Sequence, residues 1–117
     1  MARPIKRRRV CSLPDNKRFG PLNIPGELRE FITLRIDEYE ALRLIDYEGL
    51  TQEECAKQMA VARTTIQGIY IAARKKISML FVEGKTIIIE GGEYHLCDEY
   101  GPGCGRGCRH RHRRKNN

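Results

Sequence analysis

The sequence lacks any apolar run long enough to cross a membrane, which needs about 20 such residues in a row. Its first ten residues, MARPIKRRRV, are basic and lack the apolar region of a secretory signal. We therefore expect a cytoplasmic, soluble protein that does not bind membranes. With 117 residues, 40% of them hydrophobic, the chain supports one small domain.

Signatures of catalysis are also lacking. There is no Gly-rich phosphate loop and no nucleophile elbow, and Gly91 and Gly92 mark a turn rather than a nucleotide motif. The 3 histidines all lie late in the chain, so no Cys and His pair is expected on an ordered scaffold. We therefore expect a binding protein and not an enzyme.

The 5 cysteines are an odd number, which argues against a full secreted disulfide framework and favours reduced thiols. Cys55 is predicted to be a small buried apolar residue. Three other cysteines, Cys97, Cys104 and Cys108, lie late in the chain, in or beside residues 98–117. This segment is rich in Gly, Cys, His and Arg, and we expect it to be a flexible basic tail. Thiolate and imidazole are zinc ligands, and iron is also compatible with them. The candidate metal ligands are Cys97, Cys104, Cys108 and His110.

The spacing of these ligands matches no common zinc ribbon. Cys11 would join them if the segment RVCSL lay beside the segment YHLC, and an iron–sulfur centre is then a further alternative. The competing interpretation is a basic tail whose cysteines are incidental. No cofactor is assigned from the sequence alone.

Charge indicates the class of partner. There are 22 Lys and Arg residues against 15 Asp and Glu, which gives a formal net charge of +7. A field of this sign favours polyanions, with nucleic acid first and an anionic membrane second. The excess is concentrated in residues 6–9 and 106–115, near the two ends. Either cluster alone is also compatible with a simple solubility tail.

The first half of the chain predicts an arm, a strand and a helix. Residues 1–29 are basic and rich in turn residues, with a short strand expected at residues 9–13. Residues 30–36, EFITLRI, alternate apolar and polar side chains and predict a strand. Asp37 is then predicted to cap a helix over residues 38–48.

Two details of this helix can be checked. Gly49 is predicted to end it in the left-handed conformation. Glu40 and Arg43 lie one turn apart, and we expect them to pair on the solvent face at a gain of about 0.2 to 0.5 kcal/mol.

The centre of the chain is residues 50–77, LTQEECAKQMAVARTTIQGIYIAARKKI, which predict two helices joined by a tight turn. Thr51 and Glu54 have the spacing of a capping box at the head of the first helix. The first helix is predicted over residues 52–59 and the second from residue 63 to about residue 80, with Gly84 ending it. Apolar residues recur at the helical spacing of three and four at Cys55, Ala56, Met59, Ile66, Ile69, Ala73, Ile77 and Leu80.

A short turn between two helices is typical of a helix-turn-helix, whose second helix enters the major groove of DNA. Arg contacts guanine, Gln contacts adenine, and Thr contacts a thymine methyl group or a phosphate. Basic residues later on the second helix suit phosphates, and Lys76 belongs with them. The competing interpretation is the solvated face of an ordinary helical hairpin. The DNA-binding residues predicted from this pattern are Arg63, Thr64, Thr65, Gln67, Gly68, Arg74 and Lys75.

Residues 50–77 resemble the helix-turn-helix of region four of bacterial sigma factors and of related winged-helix-like regulators. Gly68 departs from that pattern, where a longer side chain is usual, and Ala62 replaces the usual Ser cap. The segments RRVCSLP, LRIDEYEALRLIDYEGLTQEECAKQMAVARTTIQ, ARKKI and VEGKTIIIEGG also resemble domain-of-unknown-function family 134. That resemblance covers residues 3–97 and implies a small prokaryotic DNA-binding protein.

Residues 85–90, KTIIIE, and 93–97, EYHLC, flank Gly91 and Gly92, a pattern that predicts a β-hairpin. This hairpin would form a wing or a small sheet, paired with residues 30–36 or with the early strand.

The sequence therefore predicts a mainly α protein with a sigma-region-four or winged-helix-like helix-turn-helix, a small β-hairpin and flexible basic termini. Residues 30–97 would form the domain between the arm and the tail. We expect a transcriptional regulator that binds double-stranded DNA as a homodimer, with no effector assigned. The alternatives are a module that docks on RNA polymerase or another partner, and a metal- or redox-responsive switch in the tail.

Overall fold

The computed structural model describes residues 7–97, and all structural statements here concern this range. Within this range three strands are followed by three α-helices and then by two more strands, and no helix is both long and apolar enough to cross a membrane. In chain order the elements are β1 (Arg8–Val10), β2 (Arg18–Phe19), β3 (Phe31–Leu34), α1 (Ile36–Leu42), α2 (Gln52–Met59), α3 (Arg63–Glu83), β4 (Thr86–Ile89) and β5 (Tyr94–Leu96).

The strands form two separate sheets. β4 is the middle strand of a three-stranded sheet, in which it runs antiparallel to β2 and parallel to β3. β1 and β5 form a two-stranded parallel sheet. Parallel neighbours need a long crossover, and all three helices lie between β3 and β4 in the chain. The N-terminal arm thus contributes one strand to each sheet.

The predicted hairpin around the two adjacent glycines is wrong. Both have positive φ, 74° at Gly91 and 95° at Gly92, as a hairpin turn would require. However, β4 and β5 lie in different sheets. Both of the partner strands expected for this region are confirmed, because β4 pairs with β3 and β5 pairs with β1. The backbone N–H of Ile36 donates to the Gly91 carbonyl at 3.0 Å, and a Cβ on Gly92 would lie 2.8 Å from Asp37 Oδ1. The glycines therefore let the chain pass closely against the start of α1 instead of reversing it.

The start of α1 also differs from the prediction. The helix begins at Ile36 with Arg35 as its N-cap residue, so Asp37 is not the cap and the preceding strand is shorter than expected. Glu38 Oε1 accepts the backbone N–H of Arg35 at 2.9 Å. Asp37 is buried and forms salt bridges with Arg8 at 3.6 Å and Arg35 at 3.2 Å. Its carboxylate thus joins the N-terminal arm to α1.

Glu40 and Arg43 do pair, but they do so in the interior, so the predicted solvent-face location is wrong. Glu40 is 0% and Arg43 8% exposed. Arg43 donates to Glu40 through Nε at 2.9 Å and Nη2 at 3.0 Å, and to Glu48 at 3.2 Å. Glu40 Oε2 also accepts the backbone N–H of Cys11 at 3.0 Å. Burial opposes the charged form of Arg43, but the hydrogen bond to Glu40 and the nearby carboxylates outweigh it and raise the Arg43 pKa.

Both predicted glycine stops are confirmed. After α1 the chain continues through a π-helical turn at Arg43–Tyr47, and Gly49, with φ of 83°, follows it. Gly84, with φ of 70°, ends α3, which extends to Glu83 and so exceeds the predicted end at residue 80.

The main core lies between the helices and the strands. The helical spacing of apolar residues in α2 and α3 is confirmed, because Cys55, Met59, Ile66 and Ala73 are all fully buried. Ile77 and Leu80 pack against the core while remaining partly exposed. The buried apolar residues of this core are Val10, Leu34, Ile36, Ala41, Leu44, Leu50, Cys55, Ala56, Met59, Ile66, Ile69, Ala73, Ile87 and Ile89.

Candidate nucleic-acid interface

The connection between α2 and α3 has a defined geometry. Thr51 and Glu54 form the predicted capping box, with the Glu54 N–H donating to Thr51 Oγ1 at 3.1 Å and the Thr51 N–H to Glu54 Oε1 at 2.9 Å. At the other end of α2, Ala60 has φ of 59° and ψ of 44°. The Val61 N–H donates to the Ala56 carbonyl at 3.0 Å, the bond of a Schellman motif. Only residues 60–62 thus separate the end of α2 from the start of α3.

The first turns of α3 separate apolar from polar side chains. Ile66 and Ile69 are buried on one side. Arg63, Thr64 and Gln67 are exposed on the other. Within residues 7–97, no hydrogen bond or ion pair engages the side chains of these three residues. The structure therefore brings them together on one surface of α3. The other two predicted base-contacting residues are Thr65, which is half-buried, and Gly68, which is exposed.

Gly68 leaves open space at this surface. A Cβ built there meets no atom within 4 Å, so packing inside the chain does not require glycine. The residue lies in the interior of α3, where glycine is less favourable than alanine by about 0.8 to 1.0 kcal/mol. A glycine at this place permits a ligand to approach the helix backbone closely.

Further along α3, Arg74 is held by an aromatic neighbour that the sequence analysis did not identify. Its guanidinium lies 5.4 Å from the centre of the Tyr70 ring, and Nη1 donates to the Tyr70 hydroxyl at 2.7 Å. That hydroxyl donates to Asp46 Oδ1 at 2.6 Å, and this hydrogen bond raises the Tyr70 pKa. The spacing of four residues between Tyr70 and Arg74 was the available signal, because such pairs meet on a helix.

The two lysines after Arg74 have different environments. Lys75 is exposed, as a phosphate contact requires. Lys76 instead donates to Glu38 Oε1 at 2.7 Å and links α3 to α1. Glu38 is fully buried, so we assign Lys76 to the ion pairs of the fold and not to the predicted phosphate contacts.

The arginines of the N-terminal basic cluster also differ in their environments. Arg7 is exposed. Arg8 forms a salt bridge with Asp37. Arg9 donates through Nε to the Gln58 carbonyl at 2.8 Å, at the C-terminal end of α2. Cations interact favourably with that end of a helix because its last carbonyls lack intrahelical partners. The arm therefore lies beside the connection between α2 and α3.

The predicted metal ligands fall largely outside the described range. Cys104, Cys108 and His110 lie beyond residue 97, and no group of three or more potential metal ligands occurs among the residues that the structure does describe. Cys97 is buried next to Cys11. The segments RVCSL and YHLC therefore lie side by side, which was the condition for counting Cys11 among the candidate ligands.

Residues 7–97 thus form three α-helices and two short sheets, and the first turns of α3 carry exposed polar side chains that no hydrogen bond or ion pair within this range engages. The chain belongs to the family described as Protein of unknown function DUF134, whose profile matches residues 1–97, and this confirms the family resemblance.

Its relatives include two bacterial proteins of similar length. One is a UPF0251 protein of Desulfitobacterium hafniense, 59% identical over 114 residues, covering 97% of this chain and 91% of the relative. Another is a UPF0251 protein of Thermoanaerobacter pseudethanolicus, 46% identical over 112 residues, covering 96% and 94%. No solved structure matches the chain.

Proposed function

We propose that this protein is a transcriptional regulator that binds double-stranded DNA through a helix-turn-helix formed by α2, residues 60–62 and α3. The arrangement is of the sigma-region-four or winged-helix-like type, with α3 in the major groove. The observation that carries the proposal is the exposed polar surface at the start of α3, where no hydrogen bond or ion pair within residues 7–97 engages the side chains of Arg63, Thr64 and Gln67. A net charge of +7 supports a polyanionic partner.

Base recognition is assigned to the first two turns of α3. Arg63 is suited to the O6 and N7 atoms of guanine, and Gln67 to the N6 and N7 atoms of adenine. Thr64, with Thr65 at the edge of the surface, contacts a thymine methyl group or a phosphate. Gly68 allows the helix backbone to come near the floor of the groove.

Phosphate contacts are assigned to exposed cations near this surface. Lys75 and Arg74 lie two turns after the base-contacting residues, and Tyr70 holds Arg74 in place through the hydrogen bond between them. Arg7 extends from the arm next to the end of α2. These contacts position the protein on the duplex without reading its sequence.

The proposed DNA-binding form is a homodimer, because one helix-turn-helix covers only a half-site. An apolar surface is available at the C-terminal end of α3, where Phe81 is 77% and Val82 83% exposed. Leu22 is 98% exposed in the loop that approaches this end of α3, since a Cβ on Gly84 would lie 3.4 Å from Ile24 Cδ1. Contact between two copies here would leave the start of each α3 open for DNA.

Selection of bound sequences from a random duplex library tests binding, specificity and dimer spacing together. We expect enriched half-sites whose centres are about 10 base pairs apart or a multiple of this. Gln67→Ala should change the enriched sequences, whereas Lys75→Ala should weaken binding to all sequences alike. Lys17→Ala is the control, because it removes an exposed charge outside α2 and α3. Unchanged sequence preference in Gln67→Ala would show that the assigned docking is wrong.

Salt dependence tests the electrostatic part separately. Three phosphate contacts per copy, from Arg7, Arg74 and Lys75, predict a slope of about −2.7 for log K against log salt, at about −0.9 for each contact. Affinity per copy should then fall roughly 40-fold between 50 and 200 mM salt. Lys75→Ala should make the slope less steep by about 0.9. An affinity that does not depend on salt would refute DNA binding and favour docking on a protein partner.

A further inference from the structure

One apolar side chain lies in the middle of the exposed polar surface of α3. Ile71 is 61% exposed. It follows Gln67 by four residues and Gly68 by three, spacings at which residues are neighbours on one face of a helix. The same spacings relate it to Arg74 and Lys75, which are exposed one turn later. Ile71 thus lies between the residues assigned to bases and those assigned to phosphates.

The packing of the fold does not account for this isoleucine. Ile69 and Ala73 are buried, and each is two residues from Ile71, so each lies about 200° from it around the helix. Within residues 7–97, Ile71 belongs neither to the buried core nor to the partly buried apolar residues packed against that core. A single exposed apolar residue is common on protein surfaces. What distinguishes Ile71 is its place on the surface proposed to face DNA.

The major groove offers an apolar group to such a side chain. Thymine is the base that presents a methyl group there, at C5, and apolar side chains contact this group. Isoleucine is well suited to the contact, because a β-branched side chain in a helix has one strongly preferred χ1 rotamer. It therefore loses little conformational freedom when it is held against a base.

We propose that Ile71 is a further specificity-determining residue, which contacts the C5 methyl group of a thymine in the major groove. This inference rests on the proposed function, since it requires α3 to lie in that groove. Position favours DNA over a second copy of the chain as the partner of Ile71. Along the helix axis Ile71 lies about 6 Å from Gln67 but about 15 Å from Phe81, at the proposed contact between copies. Gly68, one turn earlier, has no side chain that would keep Ile71 away from the bases.

The test compares thymine with uracil, which differ only in this methyl group. Selection from a random duplex library with the full chain first gives the preferred half-site, which should contain thymine. Each thymine of one half-site is then replaced in turn by uracil, and the Kd is measured by fluorescence anisotropy. At one position uracil should raise the Kd about 4-fold, as expected for the loss of roughly one buried CH₂ group. Ile71→Ala should bind the thymine and uracil duplexes equally at that position.

Leu28→Ala is the matched control. It also shortens an exposed apolar side chain, since Leu28 is 68% exposed, but it lies outside α2 and α3. This variant should keep the difference between thymine and uracil. Because Ile71 and Leu28 are both exposed, both alanine variants should remain folded, which circular dichroism checks.

Loss of this contact can be told apart from failure of DNA binding. If the unmodified protein binds the duplex but Ile71→Ala keeps the thymine preference, another residue such as Thr64 makes the methyl contact, and the inference is overturned while DNA binding stands. It is overturned in the same way if uracil has no effect at any position. If Ile71→Ala weakens the association of two copies and leaves the thymine preference unchanged, Ile71 is a protein contact instead. Unmodified protein that binds no duplex would refute the proposed function, and this inference with it.

Discussion

Replacement of Gly68 should raise stability and lower DNA affinity at the same time. Gly68 lies within α3, and a Cβ there meets no atom within 4 Å. Gly68→Ala should therefore increase the free energy of unfolding by about 1 kcal/mol, the difference in helix propensity. For a domain of roughly 60 to 100 residues this corresponds to a rise in Tm of about 4 to 8 °C.

The effect on binding has the opposite sign. A side chain at position 68 would stand on the surface that presents Gln67 and Thr64, between the helix and the proposed groove. Gly68→Leu has nearly the same helix propensity as the alanine variant, but its side chain is larger. If overpacking at this contact costs about 1 to 3 kcal/mol, as it does in a packed core, the Kd would rise roughly 5- to 150-fold. The alanine variant should lie between this and the unmodified protein.

Two measurements test these opposite effects on stability and on DNA affinity. Guanidinium unfolding followed by circular dichroism gives the change in stability, and fluorescence anisotropy with the selected duplex gives the Kd. Ser78→Leu is the control, because it adds the same side chain at an exposed α3 position ten residues away, about 15 Å along the helix. If Gly68→Leu is more stable yet binds DNA as tightly as the unmodified protein, this surface of α3 does not face the groove.

Two further predictions concern the interior. Glu40→Gln should lower the free energy of unfolding by about 3 to 5 kcal/mol, measured by guanidinium unfolding, because it leaves the buried Arg43 without its main charged partner; a loss below about 1 kcal/mol would show that Arg43 is satisfied without Glu40. Burial, with a contribution from Glu40, raises the Cys55 pKa to about 12, so its thiol should resist alkylation at pH 8 until the protein is unfolded. Because the neutral thiol is favoured in the folded state, Cys55 should also reduce stability as the pH rises from about 9 toward 12. Peptide mapping by mass spectrometry checks the first point, and comparison with Cys55→Ala at both pH values checks the second.

The sequence predicted α2 and α3 well because their signals are local. The capping box at Thr51 and Glu54 involves residues only three apart, and apolar residues at helical spacing identify the buried face of each helix without knowledge of the rest of the fold. The glycine stops at Gly49 and Gly84 are local in the same sense, since left-handed backbone is easiest for glycine.

The β structure was predicted less well because strand pairing is not local. Gly91 and Gly92 have the positive φ that a hairpin needs, but the same φ is needed where the chain passes against α1. The sequence shows which residues favour strands, whereas the partner of each strand depends on elements far along the chain. The two partners that the sequence analysis named are both used, because β4 pairs with β3 across all three helices and β5 pairs with β1, more than 80 residues earlier. The sequence did not show that β4 and β5 separate into different sheets.

The ion pairs show a third limit. Spacing predicted that Glu40 and Arg43 interact, but it cannot distinguish a pair on the solvent face from a buried one. The N-terminal arm, far away in the sequence, packs against this pair, since the Cys11 N–H donates to Glu40. Arg8 shows the same limit. In the sequence it is part of a basic cluster, whereas in the structure it forms a salt bridge with the buried Asp37. Part of the N-terminal basic cluster therefore forms contacts within the fold.

The N-terminal arm contacts three other parts of the fold. Within four consecutive residues, Arg8 contacts Asp37 of α1, Arg9 donates to the last turn of α2, and Cys11 both donates to Glu40 and lies beside Cys97. The arm is thus anchored to α1, to the end of α2 and to the end of β5 at the same time. These contacts come from side chains and backbone of residues 8–11, so they depend on the position of one short segment. The N-terminal strand is therefore an integral part of the helical domain.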